Sequence, residues 1–116
     1  MTQRLTTMEQ RSKLLANAQA RPGGHFRDPE PVIKLFTPDA NATWLLVALD
    51  PADGDTAYGL CDIGVGLPEL GHVKLSGLES IVGPRGQPVL RDRYFRPTRS
   101  LCDYARLARA HGSIVD

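Results

Sequence analysis

Cysteine is scarce: the chain of 116 residues holds two, Cys61 and Cys102. Two thiols are too few for a disulfide framework. A chain of this length can bury a core without one. Cys61 falls in an apolar strand pattern and Cys102 in a helix pattern, and both are expected as small buried hydrophobes in a reducing compartment. Long apolar runs are missing as well; none approaches the ~18 residues of a membrane span. The opening Met1-Thr-Gln-Arg-Leu-Thr-Thr7 lacks the apolar region of a secretory signal, so a cytoplasmic protein is expected. Internal repeats and low-complexity segments are absent too. The length suits one domain spanning residues 1–116.

Catalytic and metal-binding patterns are equally thin. Asp50, Asp53 and Asp55 invite a calcium reading, but the twelfth position from Asp50 is Cys61, where an EF-hand loop needs glutamate. Gly64-x-Gly66 is followed by Pro68-Glu69, so the third glycine of a dinucleotide fingerprint is missing, and there is no Walker lysine. His25, His72 and His111 stand at no metal-ligand spacing. Cys61 and His72 are formally available as a nucleophile pair, which only spatial adjacency could support. The expectation is therefore no enzyme, no cofactor and no metal.

What is present is a segregation of charge under a net charge of +1. Residues 1–38 hold six Lys/Arg against three acids, giving +3. Residues 39–79 hold one lysine and seven acids, giving −6, and residues 80–116 hold seven arginines and three acids, giving +4. Strongly acidic and strongly basic faces are both compatible with this near-neutral total. Arg85, Arg91, Arg93, Arg96 and Arg99 interleave with Tyr94 and Phe95. Arginines neutralise phosphate and aromatic rings stack on bases, so this segment is a candidate nucleic-acid surface. The competing reading pairs these arginines with the acidic block of the same molecule.

The fold expected is α+β. Four strands run in succession, Pro31–Thr37, Thr43–Leu49, Thr56–Cys61 and Leu70–Leu75, joined by short turns that favour a four-stranded, mostly antiparallel sheet over about residues 31–75. Thr43–Leu49 is almost wholly apolar, as a strand covered on both faces would be. Strict alternation puts Trp44 with Leu46 and Ala48, and Leu45, Val47 and Leu49 opposite. An N-terminal helix opens on a capping box, Thr6-x-x-Glu9, carries Met8, Leu14, Leu15 and Ala18 as its apolar face, and stops at Pro22-Gly23-Gly24. A second box, Ser76-x-x-Glu79, starts a short helix running through Ile81-Val82 to Gly83. Val89–Phe95 is either an extended edge or an irregular wrap. Ser100 caps a last helix, Leu101–His111, ended by Gly112. The N-terminal helix and the two C-terminal helices are expected to pack on the sheet.

Four stretches carry a family resemblance. They are Val32-Ile-Lys-Leu-Phe-Thr-Pro38, Thr43-Trp-Leu-Leu46 with Leu49-Asp-Pro51, Tyr58-Gly-Leu-Cys-Asp-Ile-Gly-Val-Gly-Leu-Pro-Glu-Leu-Gly71, and Arg91-Asp-Arg-Tyr-Phe-Arg-Pro97. Together they resemble a family of small proteins found in plasmids, phages and conjugative elements, from residue 6 to the C-terminus. One branch resembles anti-CRISPR inhibitors of type II RNA-guided DNA nucleases. The resemblance implies inhibition by direct binding, without catalysis, of a type II effector nuclease, with or without its guide RNA. Such a nuclease holds guide and target in a positively charged channel. Asp50, Asp53, Asp55, Asp62 and Glu69 are the residues expected to enter that channel as a phosphate mimic. The alternative is a nucleic-acid-binding accessory protein of a mobile element that uses Arg91, Arg93, Arg96 and Arg99.

Overall fold

The computed structural model describes residues 5–19, 29–38 and 40–115. Within them the chain runs α1 (Met8–Gln19), β1 (Ile33–Phe36), β2 (Thr43–Leu49), β3 (Thr56–Asp62), β4 (Glu69–Lys74), α2 (Leu75–Glu79), β5 (Leu90–Arg91) and α3 (Leu101–His111). The α+β class holds. The sheet has five strands instead of four, in the order β4-β3-β2-β1-β5, with every neighbouring pair antiparallel. The fifth strand is part of the ambiguous segment Val89–Phe95: Leu90 pairs with Phe36 and Arg91 with Leu35. Two residues show no readable alternation, so only the open edge of β1 reveals their role. The expected helix stop at Pro22–Gly24 and His25 lie outside the described residues.

β2 is the middle of the sheet, and six of its seven residues are buried. At ~1.5–3 kcal/mol for each large aliphatic side chain, this strand stabilises the fold by on the order of 10 kcal/mol. A single helix cap contributes ~1 kcal/mol. Burial of β2 therefore outranks any local signal in deciding the architecture. On one face Trp44, Leu46 and Leu49 pack with Ile33, Leu35, Ala57, Leu14 of α1 and Leu78 of α2. On the other, Leu45, Val47, Ala48 and Leu60 pack under Leu101, Tyr104, Ala105 and Ala108 of α3.

Strict alternation fails inside β2. The register with β3 steps from Leu46↔Gly59 to Ala48↔Tyr58, leaving Val47 as the extra residue of a bulge. The bulge moves Ala48 to the α3 side and returns Leu49 to Trp44's side. β1 pairs with β2 only as far as Leu46. Beyond it the Asn17 amide of α1 donates to the Val47 carbonyl at 2.8 Å, and α1 gives Leu14 to one cluster and Ala18 to the other. Thus α1 covers the stretch of β2 that β1 does not reach.

The caps also differ from the sequence reading. The N-terminal box is one residue later: Thr7 Oγ1 accepts from Gln10 N at 3.1 Å and Gln10 Oε1 accepts from Thr7 N at 3.0 Å. Met8 is consequently at the helix start and 78% exposed, so it adds nothing to the apolar face. The Ser76–Glu79 box does not form. Lys74 occupies the N-cap with no side-chain bond, and α2 ends at Glu79, short of Ile81-Val82. α3 follows the reading: Ser100 Oγ accepts from Asp103 N, and Gly112 takes the left-handed conformation at φ +76°. Cys102 is exposed and Cys61 half-buried. Cys102 is thus no core residue, because the apolar stripe of α3 turns it to solvent.

Candidate functional site

The five acids fall at two ends of the sheet. Asp50, Asp53 and Asp55 lie in the β2–β3 turn; Asp62 and Glu69 lie at the far end of β3 and the start of β4. The seven residues of β3 separate the groups by roughly 20 Å, so they do not form one continuous face.

Most of these carboxylates are occupied in holding the fold. Asp53 accepts from Thr56 Oγ1 at 2.6 Å and from the N–H groups of Thr56 and Asp55 at 3.0 and 2.9 Å. The Thr56 hydroxyl, then these N–H groups, pull its pKa down to about 2. Asp55 reaches across to α2, accepting from Ser76 Oγ at 2.6 Å and Ser76 N at 2.8 Å. It is the cap that Glu79 and Ser76 were expected to provide, and the Ser76 hydroxyl and N–H lower its pKa. Asp50 accepts from Ala52 N. Asp62 is 3% exposed and bridges Gly64 N and Ile114 N at 2.9 and 3.0 Å. It ties the glycine-rich elbow to the chain beyond α3 and offers no surface to a partner. Of the five, Asp50, Asp53 and Glu69 are exposed and Asp55 is half-buried.

The arginine segment is arranged differently. Arg93, Arg96 and Arg99 are exposed and Arg91 half-buried on edge strand β5. Among the described residues none of the four is ion-paired; the ion pairs there include Lys34–Asp92 and Arg106–Asp103. Among the described residues, these four arginines therefore do not pair with the acidic block. Within the segment, Asp92 N donates to Lys34 O at 2.9 Å, and Asp92 Oδ1 accepts from Tyr94 N at 2.9 Å. This Asx turn points Tyr94 outward, 89% exposed. Next to it Phe95 packs inward on Tyr104, ring centroids 6.5 Å apart. Thr98 N donates to the buried Tyr104 hydroxyl at 3.0 Å. Tyr94 is thus presented from a tethered segment, beside exposed Arg93 and Arg96, while Asp92, between Arg91 and Arg93 in sequence, lies 3.8 Å from Lys34.

Cys61 and His72 do not meet. Cys61 pairs across to Glu69 and packs on the Trp44 face. His72 pairs with Tyr58, which packs on the α3 face, and their ring centroids are 4.9 Å apart. Burial pushes the Cys61 thiol up, away from the thiolate a nucleophile needs. Among the described residues no three His, Cys, Asp or Glu side chains group to hold a metal ion. None of the described helices is long and apolar enough to cross a membrane.

Residues 5–115 match the family model DUF2958, a protein of unknown function. The chain belongs to this family. The match covers every element of the fold, so the DUF2958 unit includes the five-stranded sheet, the elbow held by Asp62 and the arginine segment alike. Among curated proteins and solved structures nothing matches.

The role of Asp92 in aiming Tyr94 was missed by sequence reasoning. Its signal was present: an Asp two residues before the amide it receives is the Asx-turn pattern. The exposure of Tyr94 had no such signal, since an aromatic beside Phe95 reads equally as core.

Proposed function

We propose that this protein acts by binding a nucleic-acid strand through the Arg91–Arg99 segment, without catalysis. The observation that carries this reading is Tyr94, 89% exposed, among arginines without an ion-pair partner in the described residues. Arginines neutralise the phosphates and the tyrosine ring takes a base, a combination that suits a single strand because duplex bases are already stacked. The resemblance to inhibitors of type II RNA-guided nucleases supplies a place where such a strand is found. The guide RNA of a loaded nuclease would be engaged, and the nuclease inhibited by the bound protein.

A second mode of inhibiting the same nuclease is supported by the β2–β3 turn. Asp53 and Asp55, with lowered pKa values, remain anionic near neutral pH. With Asp50 they form a compact acidic tip able to enter a basic channel.

Two measurements test these readings. Fluorescence anisotropy with labelled single-stranded RNA, single-stranded DNA and duplex DNA at two salt concentrations is expected to show salt-sensitive binding, strongest for a single strand. No binding to any of them would remove the strand reading. Pull-down with a type II nuclease, with and without guide, is expected to recover the complex only with guide if the arginines make the contact. Recovery without guide, lost on neutralising Asp50 and Asp53, would favour the acidic tip.

A further inference from the structure

Next to the Tyr94 turn the sheet has an uncovered corner. Cross-strand partners lie on the same side of a sheet, so Phe36, Thr43 and Asp62 form one row across β1, β2 and β3. Lys34, Leu45 and Leu60 form the next row. α3 packs over β3 and buries Leu45 and Leu60. The first row stays outside both apolar clusters, with Phe36 and Thr43 half-exposed. Around it rise Asn41, the elbow glycines Gly64 and Gly66, and Gly112–Ile114 beyond α3, enclosing a cleft of about 630 Å³. Lys34 and Asp92 line the same cleft. Asp92 is common to both features: one carboxylate oxygen holds the Tyr94 N–H at 2.9 Å, and the other lies 3.8 Å from Lys34 Nζ.

We infer that this cleft receives one nucleotide of the bound strand, with its base on Phe36. The inference rests on the strand-binding reading above and extends that surface inward from Tyr94. An aromatic ring on an open sheet face is a stacking platform for an unpaired base. The Asn41 amide offers two donors and an acceptor, and the Thr43 hydroxyl a donor and acceptors, enough to meet the edge of a base. Lys34 supplies the cation for its phosphate. The elbow wall is held in place: a side chain at Gly64 would lie 2.9 Å from the Asn41 carbonyl, and its φ of +85° suits glycine. The buried Asp62 carboxylate fastens this wall to Ile114. Tyr94 outside and Phe36 inside would then take two bases of one strand.

The test uses 5′-mononucleotides (AMP, GMP, CMP and UMP) added to the full chain, followed by amide chemical shifts, with ribose 5-phosphate as the baseless control. Shifts are expected at Thr43, Gly64, Gly66 and Ser113 with nucleotides and not with the control. Equal shifts with the control, or shifts confined to residues 93–99, would overturn the cleft. The second arm measures strand affinity of Phe36→Leu and Thr43→Val at unchanged Tm. Phe36→Leu is expected to weaken binding about tenfold and leave its salt dependence unchanged. If the wild type binds a strand and both variants match it, the cleft inference falls and the arginine surface stands. If no strand binds while mononucleotides shift the cleft, the strand reading falls and the cleft is a nucleotide site in its own right.

Discussion

Tyr94 and Trp44 show how little an aromatic residue's identity says about its task. Trp44 is 4% exposed, packed with Leu46, Leu49 and Leu14, and its native emission is expected to be blue-shifted and poorly quenched. Trp44→Ala should cost ~3–5 kcal/mol of stability, read by denaturant unfolding, and a loss under ~1 kcal/mol would contradict its place in the core. Tyr94→Ala should do the reverse. With 89% of the residue in solvent, its removal should leave the Tm unchanged and weaken single-strand binding by ~1–3 kcal/mol. Unaltered affinity in anisotropy would exclude it as a stacking residue. Asp53 gives a pH prediction with a definite sign. Its pKa lies at about 2, below the ordinary 3.8, so its stabilising effect is complete above the unfolded value and fades as pH falls towards 2. Wild type should therefore melt above Asp53→Asn at pH 7, with the gap closing between about pH 4 and pH 2. A constant gap across that range would assign the difference to something other than this carboxylate's charge.

At the level of elements, the antiparallel core tolerates change according to how closely its backbones approach. A methyl group at Gly59 would meet the Leu45 carbonyl oxygen at 2.0 Å and Leu46 Cα at 2.8 Å. Both are backbone atoms of the central strand, which cannot move without disturbing both clusters. Gly59→Ala is expected to cost more than ~4 kcal/mol and to leave the chain unfolded or aggregated by circular dichroism. A methyl group at Gly71, in edge strand β4, meets nothing within 4 Å. Gly71→Ala should melt close to wild type, and a collapse there would mean the edge strand is packed against something else. The same contrast governs the helices. α3 is set by its own residues, Ser100 and Gly112, whereas α2 owes its start to Asp55 in a turn twenty-one residues away from Ser76.

Across the whole molecule, net charge is a poor guide to binding. The total is +1, which would steer a nucleic acid weakly, yet exposed Arg93, Arg96 and Arg99 follow one another on a single tethered segment. Each phosphate of a single strand that an arginine no longer neutralises lowers the slope of log K against log salt by ~0.7. Changing these three arginines to Gln should therefore reduce that slope by about 2. An unchanged slope would place the binding surface elsewhere. Coverage of residues 5–115 by one family makes this prediction transferable to relatives only where the arginines and Tyr94 recur.

The strands β1 to β4, the apolar middle strand and the caps of α3 were legible in the sequence, because each rests on residues close together in the chain. Alternation, turn residues and a Ser–Gly pair of caps act over a few positions, and the tertiary structure had no reason to override them. The bulge at Val47 was not legible, since every residue from Trp44 to Leu49 is apolar and a shifted register leaves the same pattern. Nor was the fifth strand, whose two residues need the edge of β1 to exist as a strand. The candidate site depended most on the third dimension. Sequence placed five acids in one block and four arginines in another, and their opposite signs suggested that each would satisfy the other. Folding instead engaged four of the five carboxylates: Asp50 and Asp53 in their turn, Asp55 at the start of α2, and Asp62 between the elbow and Ile114. Nearby hydroxyls and N–H groups reach them with less ordering of long side chains than distant guanidinium groups would need. That left Arg93, Arg96 and Arg99 facing solvent, and turned Tyr94 out beside them on a hydrogen bond from its own backbone to Asp92.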